Sequence, residues 1–109
     1  MAEAYKVLGQ SDPVAATLTD AYTVPGATST VVSTVTVANR AATGTSFRIS
    51  VAQAGAANND DQYVWYDIAI PGNDTFGATM GLTLATTDVV RVYATLATLT
   101  FSIFGSEIT

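Results

Sequence analysis

The chain has 109 residues and a net charge of −5, with Lys6, Arg40, Arg48 and Arg91 as its four bases. Scattered bases in an acidic chain argue against direct nucleic-acid binding, which needs a basic patch that releases counterions. Histidine and cysteine are absent, so the usual general base and the thiol nucleophile are missing. Only 12% of the residues are charged, against about 25% in typical soluble domains. The surface is therefore expected to be poor in charge, either because neighbours cover it or because it is a threonine-rich β surface.

Neither a secretion signal nor a membrane span is expected. The N-terminal segment MAEAYKVLGQ lacks the basic region and the apolar core of a Sec signal. No apolar run approaches the roughly 20 residues that a membrane span needs. We therefore expect a soluble chain that is made in a cytoplasm and folds as a single domain over residues 1–109.

Alternation of apolar and polar residues with a period of two dominates the first half of the chain, which indicates β-strands. The first two predicted strands are YKVLG (5–9) and TLTDAYTV (17–24), and Pro25 provides a turn signal after the second. The next two, 31–37 and 47–51, are joined by the small polar loop NRAATGTS. This pattern predicts a β-hairpin.

The second half continues in the same way. The strand YVWYDIAI (63–70) follows the polar segment NNDDQ, and the strand at 76–84 alternates large side chains with Gly and Thr. The last two predicted strands are 89–96 and 99–104, which ends before Gly105. No segment has helical periodicity.

About eight strands separated by turn signals predict an all-β fold, an antiparallel β-sandwich with a jelly-roll or Ig-like topology. The apolar positions of the alternating strands define a predicted core. Its members are Val35, Val37, Phe47, Ile49, Val51, Ile68, Met80, Leu82, Val90, Val92, Phe101 and Ile103.

An aromatic cluster in the fifth strand is the main candidate for a binding surface. Alternation places Tyr63 and Trp65 on one face, together with Asp67, and Tyr66 on the other. We expect Trp65 to lie in the core, because a single Trp in a small sandwich buries its ring. A protein interface and a carbohydrate platform are the alternatives.

The acidic residues do not indicate a catalytic pair. A glycosidase needs only two carboxylates, but Asp in a turn is favoured because its side chain accepts backbone hydrogen bonds. Asp67 instead lies in a strand and needs a partner if buried, for which Arg48 or Arg91 is expected. The acids that fall in predicted turns are Asp12, Asp20, Asp60, Asp61, Asp74 and Asp88.

The segment Asn58-Asn59-Asp60-Asp61 offers consecutive oxygen ligands for calcium. It lacks the alternating spacing and the distal Glu of an EF-hand loop. We therefore expect a solvated loop here, and no metal, cofactor or catalytic residue in the chain.

Five segments together carry a resemblance that covers nearly the whole chain: AYKVLGQSDP, LTDAYTVP, STVVSTVTVANRAATGTSFRISVAQAG, PGNDTFGATMGLTLATTDVVRVYA and the ending FSIFGSEIT. In this order they resemble a family of small virion proteins of tailed bacteriophages, particularly those of cyanobacteria and marine bacteria. The resemblance implies a non-enzymatic structural component of the particle, found variously among head, neck and tail-fibre genes. It carries over no catalytic or binding residue.

These observations predict a virion structural protein rather than an enzyme. It would be a decoration (cement) protein on the capsid, or part of a neck or tail ring or fibre. The alternative is a carbohydrate-binding adhesion module on the virion surface, with a host surface glycan as its partner. A small hydrolase ranks far below both.

Self-assembly is expected because the predicted edge strands are poorly protected. The candidate edges 5–9 and 89–96 carry only Lys6 and Arg91 as guarding charges. The N-terminal strand and the tail GSEIT after Phe104 look too short and polar to be held by the core of their own subunit. We expect a homo-oligomer, a trimer or a higher ring, whose termini contact neighbouring subunits or other virion proteins such as capsid, neck or tail proteins.

Overall fold

A computed structural model describes residues 2–109, except for the side chain of Met80. Two short 3-10 turns, Gln53–Gly55 and Asp60–Gln62, lie between the fourth and fifth strands. None of the helical turns in the described residues has the length and hydropathy to cross a membrane. The strands are β1 (Glu3–Ser11), β2 (Thr19–Thr23), β3 (Ser29–Asn39), β4 (Thr45–Ala52), β5 (Tyr63–Ile70), β6 (Thr75–Leu84), β7 (Val89–Ala94) and β8 (Leu99–Ile108).

The strands form two antiparallel sheets of four, which pack face to face. The first sheet has the order β1-β8-β3-β6 and the second has the order β2-β7-β4-β5. The first strand thus pairs with the eighth, the second with the seventh, the third with the sixth and the fourth with the fifth. This nested pairing is the jelly-roll topology. The predicted all-β sandwich is confirmed, with the jelly-roll alternative in place of the Ig-like one.

The predicted hairpin between 31–37 and 47–51 was wrong. β3 pairs with β6 and β8 in the first sheet, whereas β4 pairs with β5 and β7 in the second. The loop between them crosses from one sheet to the other, and the buried Asn39 amide holds it by donating to the carbonyls of Thr43 and Pro71 at 2.9 and 3.1 Å. A hairpin and a sheet crossing look alike in sequence, since both join two alternating strands by a short polar loop.

The core lies between the sheets, and eight of the twelve predicted core residues are fully buried. Val51, Ile68 and Leu82 are partly buried and pack against the core from its margin. Met80 lies outside the described side chains. The eight buried residues are Val35, Val37, Phe47, Ile49, Val90, Val92, Phe101 and Ile103. Core residues that the pattern missed include Tyr22, Val24, Val32, Ile70, Leu84 and Leu99.

Irregular register in β3 explains one of these omissions. Strict alternation groups Val31 with Val35 and places Val32 on the opposite face. The pairing with both neighbouring strands shifts between Val32 and Thr34, and this bulge changes which face the following side chains occupy. As a result Val32 is buried with Val35, and Val31 faces outward.

The expectations about edges and termini were partly wrong. The first strand is an edge as predicted, but the strand at 89–96 is β7, which lies between β2 and β4. The C-terminal tail is not loose, because β8 continues through Gly105 to Ile108 and pairs with both β1 and β3. Backbone hydrogen bonds of 2.9 and 2.8 Å join Ala2 and Thr109. Each terminus is therefore held by the other.

Candidate functional site

The outward side of the first sheet is nearly free of charge. Register places Thr34 opposite Phe104, and Thr36 opposite Ser102, so these side chains share the face turned away from the core. Among the described strand residues whose side chains face outward here, Glu3 at the start of β1 is the one charged residue. We call the rest the uncharged face: Tyr5, Val7 and Gln10 of β1; Thr100, Ser102, Phe104 and Ser106 of β8; Val31, Ser33, Thr34, Thr36 and Ala38 of β3; and Thr75, Gly77, Thr79 and Thr83 of β6. Charges lie at the edge of this surface: Lys6 contributes to a depression beside Tyr5, and Asp12 and Arg40 lie next to Gln10 and Thr100.

An apolar patch lies within the uncharged face. Tyr5 and Val7 on the edge strand are 82% and 51% exposed, and Val7 lies opposite Phe104. Tyr5, Val31 and Phe104 line a depression of about 450 Å³, to which Lys6, Ser33, Gly105 and Ser106 also contribute. Apolar side chains grouped on an exposed surface are typical of interaction sites. Sequence reasoning predicted a surface poor in charge but missed this patch, whose one signal is the spacing of Tyr5 and Val7 in a predicted strand.

The second sheet carries a different surface, built around Arg48. The Arg48 guanidinium lies between two aromatic rings, 4.2 Å from the ring centroid of Tyr66 and 4.6 Å from that of Tyr93. Its Nε donates to Asp67 at 2.6 Å, and this hydrogen bond raises the pKa of Arg48. Cation–π contacts and an ion pair thus hold the cluster in one arrangement.

The structure distributes the predicted aromatic cluster over both faces of β5, but not as alternation predicted. Trp65 turns inward and packs edge-on against Phe76, 6.1 Å between ring centroids. It contacts the core as predicted, but it is only partly buried. Tyr63 and Tyr66 both face outward, with centroids 4.9 Å apart. The register of β5 against β4 shifts twice, so the prediction that Tyr63 and Asp67 share the Trp65 face was wrong.

Each base of the chain has an acid or a carbonyl of the same chain as its partner. The prediction that Asp67 pairs with an arginine is confirmed, although its side chain is half exposed rather than buried. The partners are Glu107 for Lys6, the Ala97 carbonyl for Arg40, Asp67 for Arg48 and Asp20 for Arg91.

Most of the acids lie in turns, where several bind the backbone. Asp88 accepts from the amides of Ala54 and Ala85 at 3.0 and 2.9 Å, and Asp74 accepts from the next amide in the chain. Asp20 is the exception to the turn prediction, because it lies in β2. No group of three or more acids in the described residues is arranged to hold a metal ion. The segment 58–61 is exposed, and its last two residues begin the 3-10 turn Asp60–Gln62.

A polar network ties the two sheets together beside the termini. Glu107 of β8 is nearly buried and pairs with Lys6 of β1. The Tyr22 hydroxyl of β2 donates to the same carboxylate at 2.6 Å and lies 2.7 Å from the Thr30 hydroxyl. Lys6 and then Tyr22 hold the pKa of Glu107 below its usual range. Burial, together with the hydrogen bond to Glu107, raises the pKa of Tyr22 to about 12.

No family model, curated protein or solved structure matches this chain. Two surfaces of the chain remain as candidates for its function: the uncharged face and the aromatic cluster around Arg48.

Proposed function

We propose that this chain is a non-enzymatic structural component of a bacteriophage virion that acts by packing its uncharged face against neighbouring proteins of the particle, including copies of itself. Its place would be the capsid surface, as a decoration (cement) protein, or a neck or tail ring or fibre. The virion is then its location, and host cytoplasm is where it is made.

The observation that carries this proposal is the near absence of charge on one whole side of the sandwich. A domain that stays free in solution is expected to intersperse charges over its surface. This chain carries thirteen charged residues, of which only Glu3 is an outward-facing strand residue of the first sheet. Charges cost free energy when they are buried at a contact, so their exclusion favours a surface that is covered. The apolar patch around Tyr5 and Phe104 supplies the hydrophobic part of such a contact.

The size of the uncharged face fits a protein interface. Four strands of nine to eleven residues form this sheet, so strand spacing and rise give roughly 600 Å². Stable interfaces bury about 800 Å² per partner. A contact through this face that also includes a margin of loop residues reaches that range.

The fold and the sequence resemblance support the proposal without deciding it. Jelly rolls occur in viral capsid proteins, but also in lectins and other binding proteins, and a fold alone does not assign a function. The segments that resemble small phage virion proteins span nearly the whole chain, and they include β1, β3 and β8, which build most of the uncharged face.

A cryo-electron microscopy map of the phage particle that contains this chain tests the proposal. We expect the chain in several symmetry-related copies, with the uncharged face covered by a neighbouring subunit. The absence of the chain from purified particles would contradict a structural role. Its presence with the uncharged face open to solvent would contradict the assigned contact.

A further inference from the structure

We infer that Tyr63, Tyr66 and Asp60 form a binding site for a neutral saccharide. These three side chains, which we call the aromatic corner, line a pocket of about 370 Å³. The corner belongs to the second sheet and to the turn before β5, away from the uncharged face. The inference therefore goes beyond the proposed function and does not depend on it.

The rings of Tyr63 and Tyr66 are nearly perpendicular, so that one can form a flat contact surface and the other its side. Their centroids are 4.9 Å apart and their planes meet at 80°. Tyr66 is 54% exposed, although Arg48 already covers part of it. A pyranose has a flat C–H surface that packs on an aromatic ring, and the second ring can then contact the edge of the sugar. A pocket of this volume lies at the small end of ligand sites, which suits one or two sugar units.

Both rings are held in place before any ligand arrives. Arg48 supports Tyr66 from one side and is itself fixed by Asp67 and Tyr93. The hydroxyl of Tyr63 accepts a hydrogen bond of 3.2 Å from the Asn58 amide. A preorganised site loses less conformational entropy when it binds. This order distinguishes the corner from Tyr5, the other highly exposed tyrosine, which lies on an edge strand and has no ring partner.

The charge of the site selects the class of saccharide. The Asp60 carboxylate can only accept hydrogen bonds, and sugar hydroxyls supply the donors that match it. Asp61 is adjacent and the chain carries −5, so a sulfated, sialylated or uronic-acid sugar would be repelled. An organic cation fits less well, because the Arg48 guanidinium already lies against Tyr66. The ligand class that fits the site is therefore a neutral hexose or N-acetylhexosamine chain.

An array of immobilised neutral and acidic oligosaccharides provides the test, with labelled wild-type protein and the variants Tyr66→Ala, Tyr63→Ala and Tyr66→Phe. We expect wild-type binding to one or more neutral glucose-, galactose-, mannose- or N-acetylglucosamine-based chains and none to sialylated ones. Loss of either ring should weaken the apparent affinity about tenfold, and Tyr66→Phe should retain most of it. Val14→Ala is the control, because Val14 is an exposed loop residue outside the aromatic corner and the uncharged face, and it should bind like the wild type.

The outcomes separate this site from a general effect on folding. Each variant is first shown to melt at the temperature of Val14→Ala, within the scatter of replicates. A wild-type protein that binds no neutral oligosaccharide on the array would overturn the inference. So would Tyr66→Ala binding with wild-type affinity, or Val14→Ala losing affinity as much as Tyr66→Ala does. None of these results affects the proposed packing of the uncharged face.

Discussion

The Tyr22 hydroxyl donates a 2.6 Å hydrogen bond to Glu107 and so joins β2 of one sheet to β8 of the other. Lys6 of β1 pairs with the same carboxylate. The Glu107 side chain therefore connects three strands, including the first and the last of the chain. The contact is well shielded, since Tyr22 is 8% exposed and the Glu107 side chain 11%.

Removal of the Tyr22 hydroxyl is expected to destabilise the fold. A hydrogen bond to a charged group contributes about 1.5–3 kcal/mol, so Tyr22→Phe should lower the free energy of unfolding by about 2 kcal/mol. Urea denaturation measures this change in the free energy of unfolding. Tyr66→Phe is the control, because Tyr66 is exposed on the outer side of the second sheet, and it should stay within about 0.5 kcal/mol of the wild type. Equal losses in both variants would contradict the special role of Tyr22.

Acid is expected to weaken the same network. The pKa of Glu107 is lower in the folded state than in the unfolded chain, so the stability it contributes is present above the unfolded value of about 4.3. It is lost as the pH falls through the lower, folded-state pKa. The difference in unfolding free energy between the wild type and Glu107→Gln should therefore shrink between about pH 6 and about pH 3. A difference that stays constant over this range would show that the carboxylate charge is not the stabilising feature.

Gly105 is required in the middle of β8 for a steric reason. A Cβ at this position would overlap the carbonyl oxygen of Val31 on the neighbouring strand. Gly105→Ala should therefore cost at least about 2 kcal/mol of unfolding free energy, as a forced backbone shift in a packed region does. Gly77→Ala is the matched control, since its site has open space around it, and it should be neutral or mildly stabilising. Gly105→Ala with wild-type stability would contradict the described path of β8.

Phe47 is the centre of the core between the sheets. It is fully buried and contacts the rings of Phe76 and Phe101 at centroid distances of 5.2 and 5.9 Å. Phe47→Ala should lower the free energy of unfolding by about 3–5 kcal/mol. The exposed Val14→Ala should change it by less than about 0.5 kcal/mol. A loss below about 1 kcal/mol for Phe47→Ala would place this side chain at the surface.

The strands could be predicted from the sequence because period-two alternation persists wherever one face is buried. Alternation could not show where a strand adds a residue, so the faces of Val31 and Val32 in β3, and those around Asp67 in β5, were assigned wrongly. Asp67 has a φ of +52°, a conformation that aspartate adopts more readily than bulky residues. Gly105 was taken as the end of a strand, whereas it is a site of close backbone approach within one.

The surfaces were less predictable than the core. The low fraction of charged residues indicated a surface poor in charge. Which part of the surface lacks charge, the outer side of the first sheet, depends on the strand register and could not be predicted. The aromatic corner could be predicted in part, because the sequence places Tyr63 and Tyr66 close together in one strand. Its third member, Asp60, comes from a loop whose conformation depends on local turns rather than on periodicity.

The central claim is that the uncharged face packs against other copies and other virion proteins, and a charge in its middle should prevent this. Thr36 lies in β3 between Ser102 of β8 and Gly77 of β6. Thr36→Glu would bury a carboxylate at each contact, at a cost that no partner on the uncharged face offsets. Thr79→Glu on β6 gives an independent variant, and Val14→Glu in an exposed loop is the control.

Light scattering on the purified protein at micromolar concentration is the most direct measurement. We expect the wild type and Val14→Glu to have a mass that is a multiple of 11.3 kDa, and by analogy with phage assemblies we expect a trimer or a higher ring. Thr36→Glu and Thr79→Glu should have the monomer mass with an unchanged far-ultraviolet circular dichroism spectrum. A wild-type mass of 11.3 kDa, or an oligomer that both face variants leave intact, would contradict the account.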